Sequence, residues 1–343
     1  MTSNLSEVFI TQNHIRSLLE VDTRHRIRFH VSVINPRKVM VVAVALCAGA
    51  ALPGAQEAPE TTSLLGRPLR SPELPAETRA TYEANLERAR KEHDLNPASE
   101  DAIIWLGRRT AYLGRYRQAI TIYTGGLELH RESPRLLRHR GHRYLTVRQL
   151  DNAQADLARA AKLIEGKPDE IEPDGIPNAK NTPTSTLHFN IRYHLALTHY
   201  LKGDMEAARG EWERCMEVSK NNDSIVAVSR WLYTTLRRLG RDDEAARLIA
   251  PIQPDMEVIE NQDYLDLILM YKGVRTPEAL LEGRTGLSWV TVAYGAAVWQ
   301  RGNGREAEGR RILEQIVDPQ AADHPWASFG YLAAEAELAA LTK

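Results

Sequence analysis

The side chains able to do chemistry are few in this sequence, and they do not gather. His139 and His142 stand three residues apart, which puts two imidazoles on one helix face, but no third ligand follows at a spacing that would complete a metal site. Asp169, Glu170, Glu172, Asp174 and Asn178 crowd one stretch, GKPDEIEPDGIPNAKNTPTS, and offer the oxygen ligands that calcium takes. The invariant glycine and closing glutamate of a calcium-binding loop are missing. Cys215 has no histidine near it in sequence and stands where a small, helix-packing residue is wanted. No P-loop, Rossmann glycine pattern, Gly-x-Ser-x-Gly elbow or HExxH motif occurs. The expectation is a protein without catalytic residues, cofactor or metal. An enzyme whose site is assembled in a groove of the fold stays open as the alternative, because catalytic triads are defined by geometry and not by order along the chain.

Composition narrows the partners. Of 343 residues, 43% are hydrophobic and 26% charged, and the formal net charge is −1. Such a balance gives no global field to select nucleic acid or an anionic membrane, so any polarity must be local. Two cysteines, Cys47 and Cys215, leave no internal disulfide if the stretch holding Cys47 is removed.

The elements that position these residues repeat. Gly107 and Gly141 lie 34 residues apart, as do Ala119 and Ala153, and Gly126 and Ala160. Small residues returning in one register at this period mark antiparallel helix pairs, which approach closely only at Gly or Ala. One unit covers about 100–133, with Trp105, Leu106, Gly107, Ala119, Tyr123 and Leu127. The next covers 134–167, with Leu137, Gly141, Tyr144, Ala153, Leu157 and Ala160. A third, with Ala196, Gly203-Asp204, Ala208, Trp212 and Cys215, is displaced by 21 residues, which places an insertion at 165–185. An aperiodic loop of that length is unusual inside an array. It reads as a lid folded onto a basic surface, an ion site or a disordered acidic segment. Trp231, Tyr233, Gly240 and Ala245 mark a fourth unit, Tyr264, Tyr271, Gly273 and Ala279 a fifth, and Gly295, Gly302 and Ala307 a sixth with a shortened connection. An Ala-rich stretch at 326–341 reads as a closing helix.

Residues 102–341 thereby resemble tetratricopeptide arrays. The resemblance implies an all-α, right-handed superhelical solenoid of about five to six helix pairs with a C-terminal capping helix. It also implies that the first helix of each pair lines a concave groove holding a peptide or helix of another protein. Carried over, the lining is Arg108 and Tyr112, then Arg135, Arg138 and His142, then Asn190, Tyr193 and Tyr200, then Arg230, Thr234, Arg237 and Arg238. A basic, aromatic groove on a nearly neutral chain suits an acidic or carboxylate-bearing segment. The family's clamp for chaperone tails needs a basic residue and an asparagine where this chain has Ile104 and Arg108, so that ligand is not implied. A structural protein that self-associates is a further alternative, with the oligomeric state open.

The domain reading is an N-terminal extension with a signal-like segment over 1–55, a Pro-rich linker over 56–75 and the array over 76–343. The apolar run at 39–52 follows Arg37–Lys38, and Ala48-Gly49-Ala50 are small, as in a secretory signal. At 14 residues the run is short of the roughly 20 needed to span a bilayer. A signal over 37–55 with a translation start downstream of Met1 predicts a periplasmic or secreted protein with a partner in an envelope or secreted complex. Whole arrays of this kind behind an export signal resemble exported bacterial repeat proteins. Anchoring in the membrane by 39–52 is the other reading.

Overall fold

A computed structural model describes residues 58–321 and 325–341, all within the unit Gln56–Lys343. The signal-like segment and the basic flank lie outside the described residues. Among the described residues no helix is long and apolar enough to cross a membrane.

The chain runs through two short strands, β1 (Thr61–Thr62) and β2 (Pro68–Leu69), and then a lone helix α1 (Ala76–Leu95). Six helix pairs follow: α2 (Glu100–Tyr112) with α3 (Tyr116–Leu129), α4 (Pro134–Thr146) with α5 (Leu150–Leu163), α6 (Leu187–Lys202) with α7 (Met205–Val218), α8 (Asn222–Arg238) with α9 (Asp242–Ile249), α10 (Gln262–Tyr271) with α11 (Pro277–Leu281), and α12 (Gly286–Gly302) with α13 (Glu306–Ile316). A last helix, α14 (Phe329–Leu341), ends the array. This is an all-α array of helix pairs, as expected. The short sixth spacing has its cause in α11, which is cut to a turn and a half.

The 34-residue register is a packing register. Ala119, Ala153 and Ala208 are fully buried. A Cβ on Gly141 would stand 2.7 Å from Leu157, and one on Gly126 2.7 Å from Ile103. Helix starts are set by polar side chains that occupy otherwise unpaired N–H groups. Ser99 and Ser133 accept from Ala102 and Leu136, and Asn221 and Ser224 form a reciprocal capping box at α8.

Two features depart from the sequence reading. The stretch expected to be a linker is docked, with Thr61, Ser63 and Leu69 buried. Its polar atoms meet carbonyls that helix ends leave unpaired. Thr61 Oγ1 donates to Val147 O (2.6 Å), Arg67 Nη1 to Val317 O (2.7 Å) and Ser71 Oγ to Gly114 O (3.1 Å). The strap thus ties the ends of α2 and α4 to the end of α13. The second departure is α14. It packs on α12 and α13 as a cap should, and it also touches α6 and pairs with arginines beside α4 and on α8.

Candidate functional site

The residues expected to line the groove come together in space, but nearly all of them already have partners. On α2, the Arg108 and Arg109 guanidinium groups lie over the Trp105 ring at 4.5 and 4.9 Å. They donate to the carbonyls of Pro173 (2.8 Å) and Gly175 (2.7 Å) in the 165–185 loop. Gly175 lets the loop come close, since a Cβ there would lie 2.6 Å from Cζ of Tyr112 and 2.8 Å from Arg108 Nη2 and would push those side-chain ends aside. On α4, Arg135 reaches Glu100 (3.0 Å), Asp101 (2.6 Å) and the loop's Glu170 (3.5 Å). Arg138 is buried and pairs with Glu172 at 3.1 Å. Asn190 of α6 donates to the second oxygen of the same carboxylate at 3.0 Å.

The loop is therefore laid on the wall. Its main chain is held as well: Ile171 bridges Thr186, Glu172 N donates to Ser185 O, and Leu187 N donates to Glu170 O. Two acidic side chains and two main-chain carbonyls of the loop thus occupy the guanidinium groups of this wall.

Three histidines lie nearby in neutral form. Arg138 Nη1 donates to His139 Nδ1 (2.9 Å), which requires that nitrogen to be an acceptor and leaves the proton on Nε2, facing Glu172 at 3.5 Å. Burial, with the Arg138 charge behind it, holds His139 well below the usual imidazole range. The His142 and His194 rings lie 4.3 Å apart, tilted by 42°, and burial pushes both down, His194 to about 3.

Farther along, Tyr193, Tyr200, Arg230 and Thr234 are buried, where the sequence register expected an open lining. Over α6 the cover includes α14, whereas Arg230 is enclosed by Trp231, Tyr264 and Tyr294. Phe329 covers Tyr193 (6.2 Å between rings) and His142 (5.5 Å). Glu337 takes Arg238 and Arg301, the latter at 2.7 Å, and accepts from Tyr294 (3.3 Å). Tyr200 shares a 2.7 Å hydrogen bond with Tyr294, and Thr234 bonds back to its own helix. Arg230 has no carboxylate. Its guanidinium lies 4.0 Å from the Trp231 ring centre and 5.1 Å from that of Tyr294. Arg237 sits 2.7 Å from Asp242 without hydrogen-bond alignment at Nε, and donates to Tyr233 (3.0 Å) and to the Gly302 carbonyl (2.9 Å).

Sequence reasoning missed Arg109, Arg148 and the two carboxylates of α14. One signal for the last was present. Glu335 and Glu337 interrupt a helix otherwise built of Ala, Leu, Tyr, Phe and Gly, and carboxylates on such a helix need buried cations.

Of the clefts among the described residues, three that adjoin the expected lining are as follows. One of about 290 Å³ lies between α2, α4 and the loop, lined by Trp105, Arg108, Arg135 and His139. Another of about 210 Å³ lies among Tyr233, Arg237, Arg238, Trp299 and Arg301. A third of about 320 Å³ is lined by His142, Glu260, Asp263, Tyr264 and Phe329. Cys215 is buried, with its thiol pushed well up by burial and set against the Phe189 carbonyl at 3.6 Å, so it fills core. No set of three or more His, Cys, Asp or Glu side chains among the described residues is placed to hold a metal.

No protein-family model and no curated protein matches the chain. Among solved structures it is similar to YrrB, a TPR protein with an unusual peptide-binding site, at 15% identity over 74% of this chain and 99% of that one, with a TM-score of 0.40. It is also similar to a tetratricopeptide repeat protein from Parabacteroides merdae at 17% identity, covering 77% of this chain and 82% of that one, TM-score 0.42. Kinesin light chain-like TPR repeats from Podosopora anserina match at 16% identity over 64% of this chain and 94% of that one, TM-score 0.39.

Proposed function

We propose that this protein is a non-enzymatic interaction scaffold. Its arginine wall on α2 and α4 holds an acidic, carboxylate-bearing segment of a partner protein, and the 165–185 loop occupies that wall when the partner is absent. The observation that carries this reading is the seat of Glu172 among Arg138, His139 and Asn190, with Glu170 on Arg135 and two loop carbonyls on Arg108 and Arg109. A wall that satisfies an acidic segment of its own chain, oxygen by oxygen, has the donor geometry for another. The loop is the displaceable occupant. Ile171, Ile176 and the Glu170 side chain stand exposed, so its outer contacts, unlike the one at Glu172, lie within reach of water. By contrast α14 is fixed by buried Leu332, Ala333, Ala334 and Leu338. The basic flank and apolar run at 37–52 support an exported protein, so the partner belongs to the envelope or to a secreted complex.

The test is capture of partner proteins by crosslinking in the native cell, followed by the same capture with variants. Arg108→Gln and Arg135→Gln together are expected to reduce capture by about tenfold with little movement of the thermal transition, since both side chains reach water and glutamine adds no like charge beside Glu100 and Asp101. Glu170→Gln with Glu172→Gln is expected to raise it, because the cis occupant is weakened. Undiminished capture by the arginine variant removes the proposal.

A further inference from the structure

The third cleft differs from its neighbours in sign. Both of those clefts are lined by two or more arginines, whereas this one has Glu260 and Asp263 in its wall and no arginine or lysine. Asp263 is neutralised by Arg284, which it shares with Asp266. Glu260 is not neutralised. Its oxygens accept from Asn178 Nδ2 (2.8 Å) and Thr184 Oγ1 (2.7 Å), and no cation pairs with it among the described residues. Asp223 fixes the turn that presents it, accepting from the backbone N–H groups of Ile259, Glu260 and Asn261 at 2.7–2.9 Å. Nearby Asp174 carries the mark of the same deficit. Its Oδ2 is buried without a hydrogen-bond partner, and burial together with Glu260 pushes its carboxyl up, with Arg108 acting in the opposite sense. Two carboxylates this close, one of them with a buried and unpartnered oxygen, favour a positive charge that the described residues do not supply.

The rest of the cleft selects the kind of cation. Phe329, Tyr264 and His142 contribute aromatic rings to its wall, and Leu287, 59% exposed, adds an apolar rim. Ring faces attract cations, and most effectively those that shed water cheaply. Behind Tyr264 stands the Arg230 guanidinium, 5.6 Å from the ring centre. Its charge offsets part of the attraction, which disfavours a small, strongly hydrated ion relative to one that also gains apolar contact. We propose that this cleft binds an organic cation, an alkylammonium or guanidinium head on an apolar stem, with Glu260 as counter-ion and Phe329 and Tyr264 as the flanking rings. The head group is either a free amine or a lysine or arginine side chain of a bound protein. Its counter-ion is held by Asn178 and Thr184 of the 165–185 loop, but the site does not rest on the wall's proposed role.

The experiment is calorimetric titration of the whole protein with choline and with agmatine, beside 3,3-dimethylbutanol, which has the shape of choline without the charge. A second arm uses the peptides Gly-Lys-Gly and Gly-Arg-Gly with blocked ends. Saturable binding of a free cation, with no binding of the neutral isostere and about a tenfold loss in Glu260→Gln, supports a free amine as ligand. Binding of a blocked peptide alone, with the same loss in Glu260→Gln, supports a protein side chain. Thr291→Val, which alters the wall without touching its charge, is the control that leaves the fold and the counter-ion in place. No binding in either arm overturns the proposal, as does binding that the neutral isostere matches or that Glu260→Gln leaves unchanged.

Discussion

Glu335→Ala is expected to cost about 3–5 kcal/mol of folding stability, read from the urea midpoint at neutral pH. The carboxylate meets Arg148 through two hydrogen bonds of 3.0 Å, and the two side chains are 1% and 3% exposed. It also accepts from the backbone N–H of Leu64 in the strap. Removing it strands a guanidinium away from water, and that penalty dominates. Arg148 keeps Trp326 O and Thr146 O as acceptors, but neither carries charge. Glu337→Ala should cost clearly less, because its partners Arg238 and Arg301 are 35% and 20% exposed and water can take its place. A loss under about 1 kcal/mol at Glu335 would mean that α14 is not clamped to the strap and the end of α4.

Acidification is expected to destabilise the fold well before carboxylates titrate. His194, held at about 3 by burial, stays neutral in the folded chain, while in the unfolded chain it protonates near the ordinary imidazole value of about 6.5. A lowered folded value means that the stability is fully present above about 6.5 and is lost progressively as pH falls toward 3. Between pH 7 and 5, His194 alone accounts for a loss of about 2 kcal/mol. His139 and His142 act in the same direction, for the same reason of burial beside arginines. Urea midpoints at pH 7 and pH 5 measure the sum, and His194→Asn should flatten the slope. Equal stability at the two pH values would contradict the neutral cluster.

The architecture was legible because a helix crossing leaves a mark in one dimension. Gly141 opposite Leu157 and Gly126 opposite Ile103 cannot carry larger side chains, so the period survives in the sequence. The insertion was legible for the same reason, as a break in that period. What the register could not give is what covers a face. It expected Tyr193, Tyr200 and Arg230 in an open lining, and they are buried, Tyr193 against Phe329 of α14 and Arg230 against Tyr264 and Tyr294. A helix that shields the last unit and one that also lies along the groove have the same apolar composition. The strap was hidden more deeply, because its docking depends on carbonyls of Gly114, Val147 and Val317 that helix ends leave free whatever the residue type.

The central claim is that the α2–α4 arginines form a seat for an acidic segment and that the loop is its resident occupant. Fluorescence anisotropy of a labelled peptide copying residues 167–186, titrated with the Glu170→Gln, Glu172→Gln protein, tests this most directly. The predicted result is saturable binding that weakens with added salt and disappears when Arg135→Glu is introduced as well. Absence of binding to the loop-weakened protein, or binding indifferent to Arg135, would contradict the claim.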